Sequence, residues 1–260
     1  KDAPIFFGRS RQIDALIERL RFQRFVAVVG ASGSGKSSLV RAGLLPRLER
    51  NAIASSETAS KQWQIIEMTP SGSGTTKDPF EALFNAVIQS YPELKPNPFR
   101  LSADRNAFIE QLHKTTQPFF DICQAILHPL PEWAEIVFFV DQFEEIFTLI
   151  DEKERSLFVA LLNEVANHNR TRVIVTLRSD FYDQSVASPE LAALLQQGSF
   201  PLSIPTILEL GEMIVRPAER AGLELEPGLA DQIVSDVGGA PGRLALMGYL
   251  LDELYNVEMA

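Results

Sequence analysis

The sequence contains very little cysteine and histidine. Its 260 residues include one cysteine, Cys123, and three histidines, His113, His128 and His168. A single cysteine cannot form a disulfide within the chain, and the histidines lack the spacing of metal ligands. The composition therefore argues against a disulfide scaffold and against a metal centre built from these two residue types.

Long apolar runs are also missing. No run approaches the roughly 20 residues that a helix needs to cross a bilayer. Residues 1 to 10, KDAPIFFGRS, have neither the apolar core nor the small-residue cleavage site of a signal peptide. We therefore expect a cytoplasmic protein without membrane contact.

Positive charge is the third scarce feature. Lysine and arginine number 24 against 34 aspartates and glutamates, which gives a net charge of -10. Such a chain is not built to neutralise nucleic-acid phosphates or anionic lipids, so we expect no nucleic-acid partner. The densest basic segment, residues 9 to 24, has helical apolar spacing and is interpreted as an amphipathic helix; a local nucleic-acid site is the alternative. Its inward positions are Ile13, Leu16, Ile17 and Leu20.

Apolar strand patterns alternate with helix patterns along most of the chain, which is typical of an α/β fold with a mostly parallel sheet. Strands are predicted at residues 25 to 30, 63 to 68, 136 to 140, 172 to 177 and 200 to 204. Between the second and third, helices are predicted near residues 80 to 91 and over residues 104 to 127. Residues 1 to 205 are predicted to form one domain, and residues 206 to 260 a small helical subdomain of three or four short helices.

The segment GASGSGKS, residues 30 to 37, matches the phosphate-binding pattern GxxxxGK[ST] between a strand and a helix. Glycines let backbone N–H groups surround a phosphate, and the following helix directs its positive dipole end at it. Lys36, expected to face solvent, would contact the β and γ phosphates. A plain glycine-rich turn, the alternative, does not explain Lys36 and Ser37 together. The nucleotide-binding residues predicted here are Gly30, Ala31, Ser32, Gly33, Ser34, Gly35, Lys36, Ser37 and Ser38.

Carboxylates follow the predicted strand in the segment IVFFVDQFEEIF, residues 136 to 147. Asp141 at the carboxyl end of a parallel strand is placed to bind Mg²⁺ together with Ser37, as a Walker B aspartate does. Glu144 and Glu145 are the candidate catalytic carboxylates. We predict that Glu144 begins a helix and positions the attacking water, because Glu145 is turned by a further ~100° around the axis. In the alternative, both merely favour the helix N-terminus.

A similar arrangement occurs in RVIVTLRSDFY, where a strand pattern ends at Arg178. A guanidinium at this edge of the sheet would contact the γ-phosphate, so Arg178 is the third catalytic candidate. Pairing with Asp180 or Asp183 in a loop is the alternative.

Taken in order, the segments FFGR, GASGSGKSSLVRAGLLPRL, VFFVDQFEEIF, RVIVTLRSDFY and GGAPGRLALMGYLLDELY resemble the novel STAND NTPases. These are bacterial signal-transduction ATPases related to AAA+ proteins and to NACHT and NB-ARC switches. The resemblance covers nearly the whole chain. It implies a P-loop NTPase fold with strand order 5-1-4-3-2 and binding of ATP or ADP with Mg²⁺.

Further roles follow from this resemblance. Arg178 would occupy the sensor 1 position, Pro241 of the GxP motif would contact the adenine, and Phe7, Gly8 and Arg9 would pass the other side of the base. Such proteins are closed with ADP and form homo-oligomers with ATP, and their sensor and effector domains would lie outside this chain.

The motif set departs from many related ATPases at Gln142, which takes the place of a catalytic glutamate directly after the aspartate. The carboxylates follow three and four residues after Asp141, as in the Asp-x-x-acid pattern of NACHT domains. A slowly hydrolysing ATP switch is the favoured interpretation. An AAA+-type ATPase acting on DNA, a GTPase, and a pseudo-ATPase that uses nucleotide structurally are the alternatives, although no NKxD guanine-binding motif is present.

Overall fold

The computed structural model describes residues 6–55, 59–94, 105–237 and 242–258. Its centre is a sheet of five parallel strands in the order β2-β3-β4-β1-β5, which confirms the predicted order 5-1-4-3-2. The strands are β1 Phe25–Gly30, β2 Gln64–Met68, β3 Ile136–Val140, β4 Thr171–Arg178 and β5 Ser199–Pro201. The predicted α/β P-loop fold is therefore confirmed.

Helices cover both faces of the sheet, and short 3₁₀ turns at Ser60–Gln62, Pro92–Leu94 and Ser179–Phe181 connect some elements. The helix after β1 has three contiguous parts: α-helical Lys36–Ser38, π-helical Leu39–Leu44 and α-helical Leu45–Glu49, together called α2. The other helices are α1 Ser10–Phe22, α3 Pro79–Ser90, α4 Arg105–Leu112, α5 Gln117–Leu127, α6 Glu145–Thr148, α7 Glu152–Asn167, α8 Tyr182–Val186, α9 Pro189–Gly198, α10 Ile207–Ala221, α11 Leu229–Val237 and α12 Arg243–Glu258.

The central strands are buried on both sides because alternate residues pack into different helix layers. Val137 and Phe139 of β3 join the core formed with α1 and α2. Phe138 and Val140 of the same strand join the larger core on the opposite face, with α3, α5 and α7. The four predicted inward positions of α1 are all buried. This packing fixes the carboxyl ends of β1, β3 and β4 next to one another.

Two predicted boundaries were wrong. The edge strand β5 covers only three residues, because it pairs with β1 alone over residues 199 to 201. The helical stretch predicted over residues 104 to 127 is divided at residues 113 to 116, where Pro118 occupies the first turn of α5. A proline has no backbone N–H and clashes with the preceding turn, so it favours a helix start. Residue 104 lies outside the described residues.

After β5, the residues that the structure describes form three helices with a core of their own. The helix α10 begins with a capping box, in which the Thr206 hydroxyl accepts from the Glu209 backbone and the Glu209 carboxylate accepts from the Thr206 backbone. The helices α10, α11 and α12 share a separate buried cluster: Leu210, Ile214, Ile233, Val234 and Met247. A domain boundary at residue 205 stays a prediction. None of the described helices combines the length and apolar character needed to cross a bilayer.

A buried ion pair lies at the amino-terminal end of the sheet, opposite the predicted site. The Arg172 guanidinium makes two bonds to Glu135, with Nε to Oε2 at 2.6 Å and Nη2 to Oε1 at 3.2 Å. It also donates to the carbonyls of Leu20 and Gln23 and lies 4.6 Å from the ring centroid of Trp63. Burial lowers the pKa of Arg172, and the Glu135 carboxylate opposes this shift. The arginine therefore joins α1, β3 and β4.

Replacing Arg172 with methionine should lower the free energy of unfolding by about 3 kcal/mol, the lower end of the range for a broken buried pair, because the buried Glu135 keeps only its second ion pair, with Arg24 at 3.2 Å. Urea denaturation followed by circular dichroism measures the change. Arg216→Met is the matched control: its exposed pair with Glu219 is worth under about 1 kcal/mol. If Arg172→Met lowers the free energy of unfolding as little as Arg216→Met does, the buried pair has no structural role.

Candidate nucleotide-binding site

The glycine-rich loop joins the end of β1 to the start of α2. Gly33 and Gly35 have φ angles of 68° and 84°, in the left-handed region that side chains with a Cβ rarely adopt. The Ser34 N–H donates to the Ala31 carbonyl at 3.2 Å, which closes the turn. The loop thus has the curled backbone and the following helix that a phosphate site needs. The predicted residues 30 to 38 all lie here.

Lys36 is buried and not solvent-facing, so the expectation of an exposed lysine was wrong. Its exposed fraction is 8%, and its Nζ donates to the carbonyls of Gly30 at 3.0 Å and Ala31 at 2.9 Å. The curled loop brings these carbonyls within reach, and they replace water around the ammonium. Burial lowers the pKa of Lys36, partly offset by the nearby Glu144 carboxylate.

Asp141 is fully buried directly after β3, and its Oδ1 accepts two hydroxyl hydrogen bonds. Ser37 Oγ donates to it at 2.7 Å, and Thr176 Oγ1 of the neighbouring strand β4 donates to it as well. The structure therefore brings together Ser37 and Asp141, the two residues predicted to bind Mg²⁺. Their oxygen atoms are the ligand type that this ion prefers.

The second oxygen of Asp141, Oδ2, has no hydrogen bond to any residue that the structure describes. It forms an ion pair at 2.8 Å with Nη1 of Arg41, which lies in the π-helical part of α2. The Nε of Arg41 donates to Glu67 near the end of β2. Arg41, which is partly exposed, thus pairs with a buried carboxylate oxygen, as a buried charge requires.

Glu144 lies between Lys36 and the end of β4. Its Oε2 accepts from the Arg178 backbone N–H at 3.3 Å. Burial raises the pKa of Glu144, and hydrogen bonds and the nearby Lys36 and Arg178 charges oppose this shift. A half-buried carboxylate with a raised pKa beside the phosphate loop suits a general base or a water-positioning group.

The chain turns at Gln142, directly after Asp141. Its φ of 52° is left-handed, its backbone N–H donates to Thr176 Oγ1 at 2.9 Å, and its side chain is exposed. The chain reverses here, and Phe143 N then donates to the Thr176 carbonyl at 2.9 Å. This turn directs the Gln142 side chain towards solvent and returns Glu144 towards the phosphate loop.

Glu145 has a different environment from its neighbour. Its Oε2 accepts from both the backbone N–H of Ser71 at 3.0 Å and the Ser71 hydroxyl at 2.7 Å. Ser71 belongs to the loop after β2 and is buried. The helix α6 begins at Glu145, one residue later than predicted, and Glu144 precedes it. The geometry thus gives Glu145 a role in fixing the loop after β2.

Apolar side chains after Asp141 pack inward against the sheet. Phe143, Ile146 and Ile150 are buried, whereas Phe147 is half-buried and stacks on Phe181 with ring centroids 6.3 Å apart. These contacts hold the start of α6 against the end of the sheet.

Arg178 ends β4 and forms a bidentate ion pair with Asp180. Its Nε donates to Oδ1 at 3.1 Å and its Nη2 to Oδ2 at 2.6 Å. This is the loop pairing considered as the alternative to a phosphate contact. The pair is exposed, and the Arg178 charge is close enough to Lys36 to lower the pKa of that lysine. The arginine therefore lies at the predicted edge, beside the phosphate loop.

The amino-terminal segment contacts both the loop and the helices after β5. The Arg9 guanidinium is buried and donates to the carbonyls of Ser203 at 2.9 Å and Ser34 at 3.3 Å. Phe7 is half-buried, and Gly8 is so close to α10 that a Cβ would lie 2.5 Å from the Glu209 carbonyl oxygen. Pro241 lies outside the described residues, and its adenine contact stays a prediction.

Sequence reasoning missed three residues around this site: Arg41, Thr176 and Ser71. Thr176 carries a weak signal, because it is a polar residue inside the otherwise apolar strand pattern RVIVTL. Arg41 resembles any charged residue on the outside of a helix, and Ser71 any serine of a turn. Their partners are distant in sequence, so spacing gives no indication of them.

The residues present fit a nucleotide phosphate with Mg²⁺. The buried lysine donors, the curled glycine loop and the paired Ser37 and Asp141 oxygens lie at one edge of the sheet. Lys36 and the loop N–H groups would hold phosphate, whereas Ser37 and Asp141 would hold the metal ion.

Several solved structures have a similar fold. Domain III of the replication initiation protein DnaA from Thermotoga maritima has a TM-score of 0.57 and 16% identity, with 100% of this chain and 90% of that chain covered. The Aeropyrum pernix ORC2 protein in its ADP form has a TM-score of 0.61 and 16% identity, with 92% and 60% covered. The Aeropyrum pernix ORC1 protein in complex with DNA has a TM-score of 0.60 and 16% identity, with 93% and 58% covered.

Identities this low show the fold alone, and this chain spans less than two thirds of the two ORC proteins. No curated protein matches the chain significantly. The model of the family Novel STAND NTPase 1 matches residues 1–259, nearly the whole length. The chain, which has the fold of AAA+ P-loop ATPases, therefore belongs to the novel STAND NTPase 1 family.

Proposed function

We propose that this chain is an ATP-binding, slowly hydrolysing molecular switch of a larger STAND signalling protein. The observation that carries the proposal is the contact between the phosphate loop and the helices after β5. A Cβ on Gly33 would lie only 2.7 Å from the Gly242 Cα, so the two backbones touch. A nucleotide at this loop would therefore be sensitive to how the two parts are arranged.

The positions of the residues support the following proposed roles. Lys36 would bind the β and γ phosphates and Arg178 the γ-phosphate, while Ser37 and Asp141 would hold Mg²⁺. Bound Mg²⁺ would neutralise phosphate charge during transfer. Glu144 would orient the attacking water, and Glu145 would keep the loop after β2 in place through Ser71. Arg178 would have to exchange its Asp180 partner for phosphate.

The switch itself would lie between the sheet and the three helices of residues 207 to 258. Arg9 joins Ser203, in the segment that connects them, to Ser34 of the phosphate loop. In our proposal, ADP holds this arrangement closed in the cytoplasm, and ATP favours an open form that assembles into a homo-oligomer. Sensor and effector domains would be supplied by other parts of the protein.

Nucleotide should raise the melting temperature of the protein, because a ligand that binds only the folded form stabilises it by about 4 kcal/mol at a thousandfold excess over its dissociation constant. ATP and ADP should both have this effect in differential scanning fluorimetry, and GTP much less. An equal shift with GTP would favour a GTPase. No shift with any nucleotide would overturn the proposed function.

A DNA-acting ATPase is the second candidate, because the structure of the similar ORC1 protein was solved in complex with DNA. The acidic composition disfavours it, since DNA binding depends on neutralised phosphates. Fluorescence anisotropy with labelled duplex DNA at low salt separates the two. We expect no change in anisotropy with or without ATP, and salt-sensitive binding would favour the DNA-acting candidate.

A further inference from the structure

Arg41 contacts two carboxylates that differ sharply in burial. Asp141 is fully buried, whereas the Glu67 side chain has an exposed fraction of 35%. The Arg41 side chain is itself 44% exposed, and its guanidinium lies 5.8 Å from the ring centroid of Phe139. The arginine thus reaches a buried anion from a position open to solvent.

We propose that Arg41 is a displaceable counter-ion of the metal-binding carboxylate. It neutralises Asp141 when no metal ion is bound, and it keeps only its Glu67 contact when Mg²⁺ takes its place. This inference rests on the proposed function, because it concerns the same metal site. Arg41 touches neither phosphate nor the reacting atoms in this role, so it is a positioning residue.

The hydrogen bonds of Asp141 support this role. Ser37 and Thr176 both donate to Oδ1, whereas Arg41 is the cation in direct contact with Oδ2 among the described residues. A buried carboxylate oxygen without compensation is costly, so Arg41 stabilises the metal-free protein. The same positive charge repels a metal ion at Oδ2. Arg41 therefore has opposite effects on the metal-free and the metal-bound state.

Glu67 lowers the free-energy cost of moving Arg41 away from Asp141. It already accepts a hydrogen bond from Arg41 Nε, so the guanidinium need not become unpaired when it leaves Asp141. Both partners of this pair are partly exposed, so water also solvates the released charge. The affinity of the site for Mg²⁺ therefore depends on the position of the Arg41 side chain.

The test measures binding of Mn²⁺, as a probe for Mg²⁺, to the ADP complex by the electron paramagnetic resonance signal of free Mn²⁺. Removing the competing charge in Arg41→Gln should lower the Mn²⁺ dissociation constant about tenfold, which corresponds to about 1.4 kcal/mol. Arg41→Lys keeps the charge and should stay close to the unmodified protein. Arg41→Gln should also lower the melting temperature in EDTA, where Asp141 lacks its counter-ion.

Arg47→Gln is the matched control, because Arg47 lies on the same helix and pairs with the exposed Asp14. It should leave Mn²⁺ affinity unchanged. Unchanged or weaker Mn²⁺ binding in Arg41→Gln would overturn the proposal, since an arginine that only orders Asp141 would weaken the site when lost. Calorimetry of ADP in EDTA is done first. If the unmodified protein does not bind ADP, the proposed function fails; if ADP binds and Mn²⁺ affinity does not rise, only the Arg41 proposal fails.

Discussion

Lys36→Ala is expected to weaken ADP and ATP binding at least about a hundredfold. The lysine ammonium supplies charge-assisted hydrogen bonds to phosphate, which are stronger than neutral ones, and a hundredfold change corresponds to about 2.7 kcal/mol. Because Lys36 is buried against the carbonyls of Gly30 and Ala31, its loss also removes two hydrogen bonds within the loop. Isothermal titration calorimetry measures the affinity.

The burial of Lys36 requires a second variant. Lys36→Met keeps most of the side-chain volume and removes only the charge and the donors, so it separates phosphate binding from loop packing. Both variants should lose nucleotide affinity, and circular dichroism should show a folded sheet in both. Unchanged ADP affinity in Lys36→Met would remove the assignment of this loop as the phosphate site.

The positions of the strands and their order in the sheet were largely predictable from the sequence. Buried parallel strands appear as apolar runs, as in FVAVV and IVFFV, and their ends follow from the polar residue that comes next. The resemblance to STAND NTPases supplied the strand order, which apolar patterns alone do not specify. The edge strand β5 was misplaced because it makes only three residue pairs with β1, too few to leave a distinct pattern.

The residues of the candidate site were predictable where the position of a residue along its strand decides whether it reaches the site. Asp141 and Arg178 lie at strand ends, and parallel strands bring such ends to one edge. The partners of these residues were not predictable, because they depend on side-chain directions across distant elements. The contact of Arg41 with Asp141, 100 residues apart in number, is set by the packing of α2 on the sheet. The burial of Lys36 is likewise set by the curl of its loop.

Glu144→Gln is expected to slow ATP hydrolysis about a hundredfold or more while leaving ATP affinity nearly unchanged. A positioned general base typically contributes a factor of about 100 to 10,000. Glutamine keeps the shape and can still accept from the Arg178 backbone N–H, so the turn after β3 should survive. In the intact protein, loss of hydrolysis should favour the ATP-bound, active state. Single-turnover measurement with limiting ATP isolates the chemical step.

Glu145→Gln is the matched control, because it changes the adjacent carboxylate in the same way. Its carboxylate is engaged by the N–H and hydroxyl of Ser71, so the variant should lower stability and leave the hydrolysis rate within a few-fold. If only Glu145→Gln is slow, the catalytic role belongs to Glu145, and the Ser71 contact must be broken during turnover. If neither variant is slow, the two carboxylates are structural, and the protein uses nucleotide as a pseudo-ATPase does. If Glu144→Gln hydrolyses ATP slowly and Glu145→Gln hydrolyses it at a nearly normal rate, Glu144 is the catalytic carboxylate. The left-handed turn at Gln142 then places this carboxylate at the site, three residues after Asp141.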